Sequence, residues 1–448
     1  MTMPTPTAPQ LRRCLGPMAI TSQAVATVGL TLTAVINIPA VVSSAGRATW
    51  IAYAIALVAI VLVSETLVLF RHEPAQANGI AGYVEAGLGA RAGALASWSL
   101  LLGYGASFLA CLAFLGFYLD RVLTDLGLPV IPVVSFVAGG AVCLWLACRD
   151  VRLSTNTMLL TEALSVLIVL GLCVVIVRHG GEHAVVQAMD PVGDSALQVR
   201  NGLMIAVLSF IGFESAANLG REALRPERAV PRALRTAVLL AGVLFLVWAV
   251  LLSEGLSWLP PSERTGLDPI SLLAAQLGHP RDGSWIKVGA FLCLFGSTLG
   301  SLTALGRVGL HLAGQALLPP LFGRIHPRFQ TPTGALLGLG LPAIGIGAVL
   351  LQRGLGANAL YELLGGFAVL GFLLVYGLVA AGSLRQPISG CTTLRRRLVG
   401  GSCLAAMLTI GIAYLASIVG HQNGLLLSFV VLLATGAAVT NRGRSQPS

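Results

Sequence analysis

The chain has 448 residues, of which 56% are hydrophobic and only 10% charged, and its mean hydropathy is +0.85. Soluble domains carry about 25% charged residues, so this composition excludes an ordinary soluble enzyme and points to a polytopic helical membrane protein. The net charge of +10 does not mark a nucleic-acid binder, because the 28 basic residues (27 Arg and Lys287) sit in short segments between apolar runs.

The first 17 residues are Pro/Thr-rich with Arg12 and Arg13 and read as a cytoplasmic tail, not a removed signal. Twelve apolar spans follow. Spans 1 and 2 lie near Ala19–Val42 and Trp50–Phe70, spans 3 to 5 at Ala92–Leu119, Pro129–Ala147 and Ser154–Val177. Spans 6 and 7 are Gly202–Leu219 and Ala233–Ser253, spans 8 and 9 Ile286–Ala313 and Gly334–Leu351. Spans 10 to 12 are Ala359–Gly382, Leu398–Val419 and Leu425–Val439, with a tail over 441–448. A short amphipathic segment between spans 7 and 8, Pro269–Leu277, reads as an outer lid.

The loops orient the chain. With a cytoplasmic N-terminus, 20 basic residues fall inside and 28 − 20 = 8 outside, so both termini are expected in the cytoplasm. Parity then makes spans 1 and 6 enter from opposite sides, as two inverted five-helix units would. Both are interrupted: span 1 by Thr31, Thr33 and Asn37-Ile38-Pro39, span 6 by Gly212.

Span 6 carries the strongest signal. Glu214 follows Gly212-Phe213 and lies about 16 Å from Leu203, counted at ~1.5 Å per residue, near the middle of a ~30 Å apolar layer. A carboxylate at that depth is costly, and its default reading is functional. The apolar run leads directly into the basic loop Arg221–Arg235, which reads as a gating tether.

Three stretches resemble the amino acid–polyamine–organocation permeases: GIAGYVEAGLGARAGALASW (Gly79–Trp98), FIGFESAANLGREALRPERAVPRAL (Phe210–Leu234) and LGRVGLHLAGQALLPPLFGRIHPRFQTPTGAL (Leu305–Leu336). The first is similar to that family's loop between helices 2 and 3. The resemblance implies an all-α bundle of two inverted repeats, about 18–178 and 199–382, with discontinuous helices 1 and 6. Two extra helices over 398–440 follow the core (18–382). It also implies secondary transport by alternating access. The family's Gly-x-Gly in helix 1 is matched here by Leu32-Thr33-Ala34, and its helix 8 Arg-Asp-Gly by Gly314-Gln315-Ala316. Some relatives carry a helix 5 Lys that stands in for sodium; this helix carries Glu162.

Half-helix ends attract carboxylates at their amides and amines at their carbonyls, which suits a zwitterion. The expected substrate contacts are Thr31, Thr33 and Ala34 on helix 1 and Phe210, Ile211, Gly212, Phe213 and Glu214 on helix 6, with Phe213 an aromatic gate. Glu214 and Glu162 are the expected ion-coupling carboxylates, with Ser297, Thr298 and Ser301 of helix 8 offering oxygens nearby. Against these stand plainer readings: hydroxyls bonded to the preceding turn, small residues for close packing, and Glu162 in an ion pair. Glu65 reads as structural, and Trp98 and Tyr104 as packing or interfacial anchors, with Tyr104 a candidate for the outer wall. The triplet Arg395–Arg397 reads as a topology determinant beside anionic lipid. His72, His311 and His326 have no metal-ligand spacing, the eight cysteines read as packing residues, and no catalytic motif or cofactor site is evident.

The sequence thus predicts a proton-coupled (or sodium-coupled) amino acid or amine importer in the cytoplasmic membrane, in contact with lipid, with a homodimer as one assembly it allows. An exporter or antiporter on the same fold is the first rival. A non-transporting amino acid sensor is the rival from another class, and would carry a sizeable soluble domain.

Overall fold

The computed structural model describes residues 10–72, 78–190, 196–278, 280–385, 388, 390–419 and 422–445. Part of the expected N-terminal tail (1–9) and the end of the expected C-terminal tail (446–448) lie outside the described residues. The chain is all-helical, and among the described residues eleven helices are long and apolar enough to cross a membrane. The first of these, Pro17–Leu69, is 53 residues long. At ~1.5 Å per residue that is about 80 Å, more than twice the apolar layer, and the chain turns within it at Gly46–Ala48.

Its first arm comprises α1 (Pro17–Val28), α2 (Leu30–Leu32), a wide π-helical turn over Thr33–Asn37, and α3 (Ile38–Ala45). The second arm is α4 (Thr49–Leu69), followed by α5 (Gly79–Leu88), α6 (Ala90–Asp125), α7 (Pro132–Arg149) and α8 (Val151–Ala188). After α9 (Ala196–Phe210) and α10 (Ser215–Asn218) come α11 (Pro226–Ser257), α12 (Pro261–Arg264) and α13 (Pro269–Leu277). The chain closes with α14 (Pro280–Gly314), α15 (Thr333–Gln352), α16 (Ala357–Arg385), α17 (Thr393–Ile418) and α18 (Asn423–Ser445).

Helix starts follow local chemistry. Pro sits in the first turn of α1, α7, α11 and α13, where its missing N–H costs nothing. The last helix, α18, runs into the expected C-terminal tail as far as Ser445. Two sequence expectations need correcting. The stretch Gly79–Trp98 is no loop: it forms α5 and the start of α6. The break in span 1 lies at Gly29, not at Leu32-Thr33-Ala34. Pro39 is absorbed without a break, because the π turn lets the Ile38 N–H reach the Thr33 carbonyl five residues back.

The centre of the bundle is built from α1, α6, α8, α14 and α16, with the short α10 wedged among α1, α14 and α11. In the most apolar stretch of α14, 78% of residues are buried, against 22% in α18, which places α14 at the core and α18 on the rim. Large side chains such as Val58, Leu160, Leu167 and Leu427 are exposed on the outside, as a surface facing hydrocarbon requires.

Candidate functional site: two helix breaks braced by carboxylates

Gly29 ends α1 with φ +68, a left-handed conformation that glycine adopts without strain. Gly212 sits between α9 and α10 with φ +118. The two breaks touch, since a Cβ on Gly212 would come within 2.6 Å of the Thr27 carbonyl carbon and oxygen. No side chain fits there, and glycine is required twice over, by conformation and by contact.

Each break frees a backbone N–H in the apolar interior, and each is met by a buried carboxylate. At the first, the Leu30 N–H donates to Glu162 Oε1 at 2.6 Å. The Cys293 thiol lies 3.7 Å from the same oxygen and accepts the Leu32 N–H at 3.1 Å. Glu162 Oε2 is buried without a hydrogen-bond partner among the described residues, beside the backbone of Gly296 on α14. At the second, the Gly212 N–H donates to Glu214 Oε2 at 2.9 Å. Tyr376 donates to that oxygen at 2.7 Å and Tyr104 to Oε1 at 2.9 Å, while Asn218 donates to the Tyr104 hydroxyl at 3.1 Å. Three donors on one carboxylate offset much of the cost of burying it. Tyr104 is therefore no interfacial anchor; it is one wall of the Glu214 cage.

Beneath the breaks, on the N-terminal side, a polar network ties α1 to α10 and α14. Gln23 donates to the Gly300 carbonyl at 2.9 Å and accepts from Thr303 at 2.9 Å, and Ser215 donates to Thr27 Oγ1 at 3.1 Å. Below it lies a buried ion pair. Arg307 binds Glu222 with both arms of its guanidinium, Nε to Oε2 at 2.6 Å and Nη2 to Oε1 at 2.9 Å, with side-chain exposures of 5% and 1%. The Glu222 carbonyl accepts the N–H groups of Cys14 and Leu15, both at 2.9 Å, and Leu15 bridges to Ala223. This side is sealed.

The opposite side is open. A cavity of about 480 Å³ enters among α3, α9, α13, α16 and α17, lined by Asn37, Ser43, Phe114, Arg264, Tyr361 and Glu362 among others. Directly below is a pocket of about 40 Å³, room for a water or two. Asn37, Leu208 and Tyr361 line both. The Tyr361 hydroxyl donates to Asn37 Oδ1 at 2.9 Å and so bridges α16 to the π turn at the boundary between the two spaces.

Of the expected substrate contacts, Ile211 and Gly212 line the inner pocket, and so does Ser301. Thr31, Thr33, Ala34, Phe210, Phe213 and Glu214 are buried beside it without lining it. The Thr31 hydroxyl donates to Ser165 on α8, and Phe210 packs edge-on against Phe245. Phe213 lies beside Tyr376 at 6.1 Å between ring centroids. Ser297 bonds back to the Cys293 carbonyl and abuts Gly29; Thr298 Oγ1 and Ser301 Oγ are buried without partners among the described residues. Glu65 is structural, paired with Arg235 and Arg395, so Arg395 also has an ion-pairing role beyond orientation. Sequence reasoning named Asn37 only as part of the interruption of span 1, and missed Tyr361, Tyr376, Cys293 and the Arg307–Glu222 pair. A signal for the last was available in part: Arg307, alone among apolar and glycine residues from Leu305 to Leu310, requires a partner.

Comparison with known proteins bears on the fold and the family. Among curated proteins, the chain is 26% identical to mouse cationic amino acid transporter 4 over 64% of its length and 46% of the mouse chain. It is 22% identical to the branched-chain amino acid permease BcaP of Bacillus subtilis, over 64% of each. It thus spans less than two thirds of the length of the curated relatives it matches. Its fold is shared with the solved structure of MhsT in complex with L-phenylalanine, at a TM-score of 0.66 and 14% identity, over 90% of this chain and 99% of that one. The family model for the amino acid permeases matches residues 18–388, most of the sequence, and the chain belongs to that family.

Proposed function

We propose that the protein is a secondary active transporter that takes up amino acids, or related amines, across the cytoplasmic membrane by alternating access. The observation that carries this reading is the pair of touching helix breaks, with an open vestibule on one side and a double seal on the other. Such breaks pivot: α1 and α9–α10 tilt as one body, opening the seal at Arg307–Glu222 while the vestibule closes over the inner pocket. Twelve passes, formed by two inverted repeats (about 18–178 and 199–382) and two peripheral helices, put both termini in the cytoplasm, where the basic segments lie. Amino acids as substrates fit the printed names of the relatives and the zwitterion chemistry of half-helix ends.

The driving ion is a proton, and Glu162 carries it. Its Oε2 has no partner among the described residues, whereas both oxygens of Glu214 are engaged in holding the second break. Glu214 keeps a bracing and gating role, and Ser297 and Ser301 lie along the same face of α14. Purified protein in liposomes tests this. An inside-alkaline gradient should accelerate amino acid uptake, and Glu162→Gln should abolish the acceleration while leaving exchange between equal pools intact. Uptake driven by a sodium gradient and indifferent to pH would overturn the proton assignment.

A further inference from the structure

The inner pocket holds only about 40 Å³ in this structure and must widen to admit an amino acid, but its walls narrow the ligand, granted the transport reading above. Sixteen residues line it, and none of them carries a charged side chain: the walls are Val28, Leu32, Ala110, Leu208, Ile211 and Phe372 with small and hydroxyl-bearing neighbours. The two carboxylates nearby do not supply the missing charge. Glu214 is bound by Tyr104, Tyr376 and the Gly212 N–H, and Glu162 holds the Leu30 N–H. A lysine or arginine side chain placed here would have its charge stripped of water with no free counter-ion on the wall, a cost of several kcal/mol in other buried sites.

Two polar atoms belonging to the lining residues are buried and have no partner among the described residues: Asn37 Nδ2, which can only donate, and Ser301 Oγ, which can do either. Native interiors rarely leave such atoms unpaired, so each is a place where a ligand atom fits. A carboxylate oxygen suits Asn37 Nδ2, and an ammonium group suits Ser301 Oγ. Asn37 Oδ1 is already held by Tyr361, so the amide is fixed in orientation and the ligand at its other end would sense the state of that bridge.

We propose that the substrate is an amino acid with a small or branched aliphatic side chain and no side-chain charge, and that Asn37 is a specificity-determining contact for its carboxylate. The reading excludes cationic and acidic amino acids and free polyamines as principal substrates.

The test is competition for uptake by the full chain in liposomes, with L-leucine, L-valine and L-alanine set against L-lysine, L-arginine, L-glutamate and putrescine. The aliphatic set should compete at least about 100-fold more strongly than the charged set, the size expected for an unpaired buried charge. Lysine or arginine competing as well as leucine overturns this inference and leaves amino acid transport standing. Failure of every amino acid to be taken up overturns both. Asn37→Ala should raise KM for the preferred amino acid about tenfold or more with little change in its maximal rate, the signature of a lost binding contact. An unchanged KM removes Asn37 from the site, and because the wild-type panel stands by itself, a poorly folded variant does not rescue the claim.

Discussion

The Arg307–Glu222 pair offers the sharpest test of the seal. Both side chains are buried, the contact is bidentate, and the Glu222 carbonyl also anchors Cys14 and Leu15. Removing the charge of one partner, as in Glu222→Gln, leaves a buried guanidinium uncompensated, which costs about 3–5 kcal/mol in comparable pairs. On the alternating-access reading proposed above, the penalty falls on the sealed state alone, because opening the seal would expose Arg307 to water. The open state should therefore gain roughly 100-fold to several thousand-fold in population relative to the sealed one. Cys14 reports this directly. Its thiol is buried, burial pushes it above the ordinary thiol range, and its backbone is part of the seal. Because the thiolate is the reactive form, the sealed protein should label slowly. In a background with the partly exposed Cys148 and Cys391 changed to Ser, maleimide labelling of Cys14 from the N-terminal side should rise at least tenfold in Glu222→Gln. A folded, transport-competent Glu222→Gln protein with an unchanged labelling rate would refute the seal.

Three further perturbations follow from the same geometry. Glu214→Gln keeps one acceptor but turns an NH2 group toward one of three donors, and should lower thermal stability by about 1–3 kcal/mol, read by unfolding in detergent. Gly212→Ala adds at least ~1–3 kcal/mol of backbone strain to a clash with Thr27 and should abolish uptake; Gly105→Ala, whose Cβ meets only Leu305 at 3.9 Å, should be tolerated, and equal damage from both would count against the break contact. Asp268 caps α13 and receives the Tyr118 hydroxyl, and burial raises its carboxyl above the ordinary Asp range. The folded state then holds a proton that the unfolded chain has released, so stability falls as pH rises from the ordinary Asp range through the raised value. Asp268→Asn keeps an acceptor for both donors and should flatten that part of the profile; an unchanged slope would show that Asp268 does not contribute to it.

What was legible in the sequence is what depends on local pattern. Apolar runs of membrane length, proline at helix starts and the Gly-Phe-Glu step in span 6 each act within a few residues, and the structure places a break at Gly212 and a helix over Pro269–Leu277. The first break was harder to find. Gly29 sits in a uniformly apolar run, where a glycine more often serves close packing, and the polar patch around Thr31 to Pro39 drew attention downstream. The Glu214 cage was out of reach for a different reason. Its tyrosines lie 110 and 162 residues away in sequence, and the Tyr361–Asn37 bridge joins positions 324 apart, so no window of the chain contains both partners.

The two breaks also explain why this interior tolerates carboxylates at all. An amide freed in hydrocarbon needs an acceptor that does not close the break. Glu162 provides one from another helix at the first break and Glu214 from two residues along the chain at the second, and they are not equivalent. Glu214 spends both oxygens on three donors, and any change in its protonation must disturb Tyr104, Tyr376 and the break together. Glu162 spends one oxygen on Leu30 and the other has no partner among the described residues, so on the proposed reading it gains or loses a proton at Oε2 while still bracing the helix through Oε1. A group that couples an ion to movement has to change charge without dismantling the joint that moves, and of the two only Glu162 meets that condition.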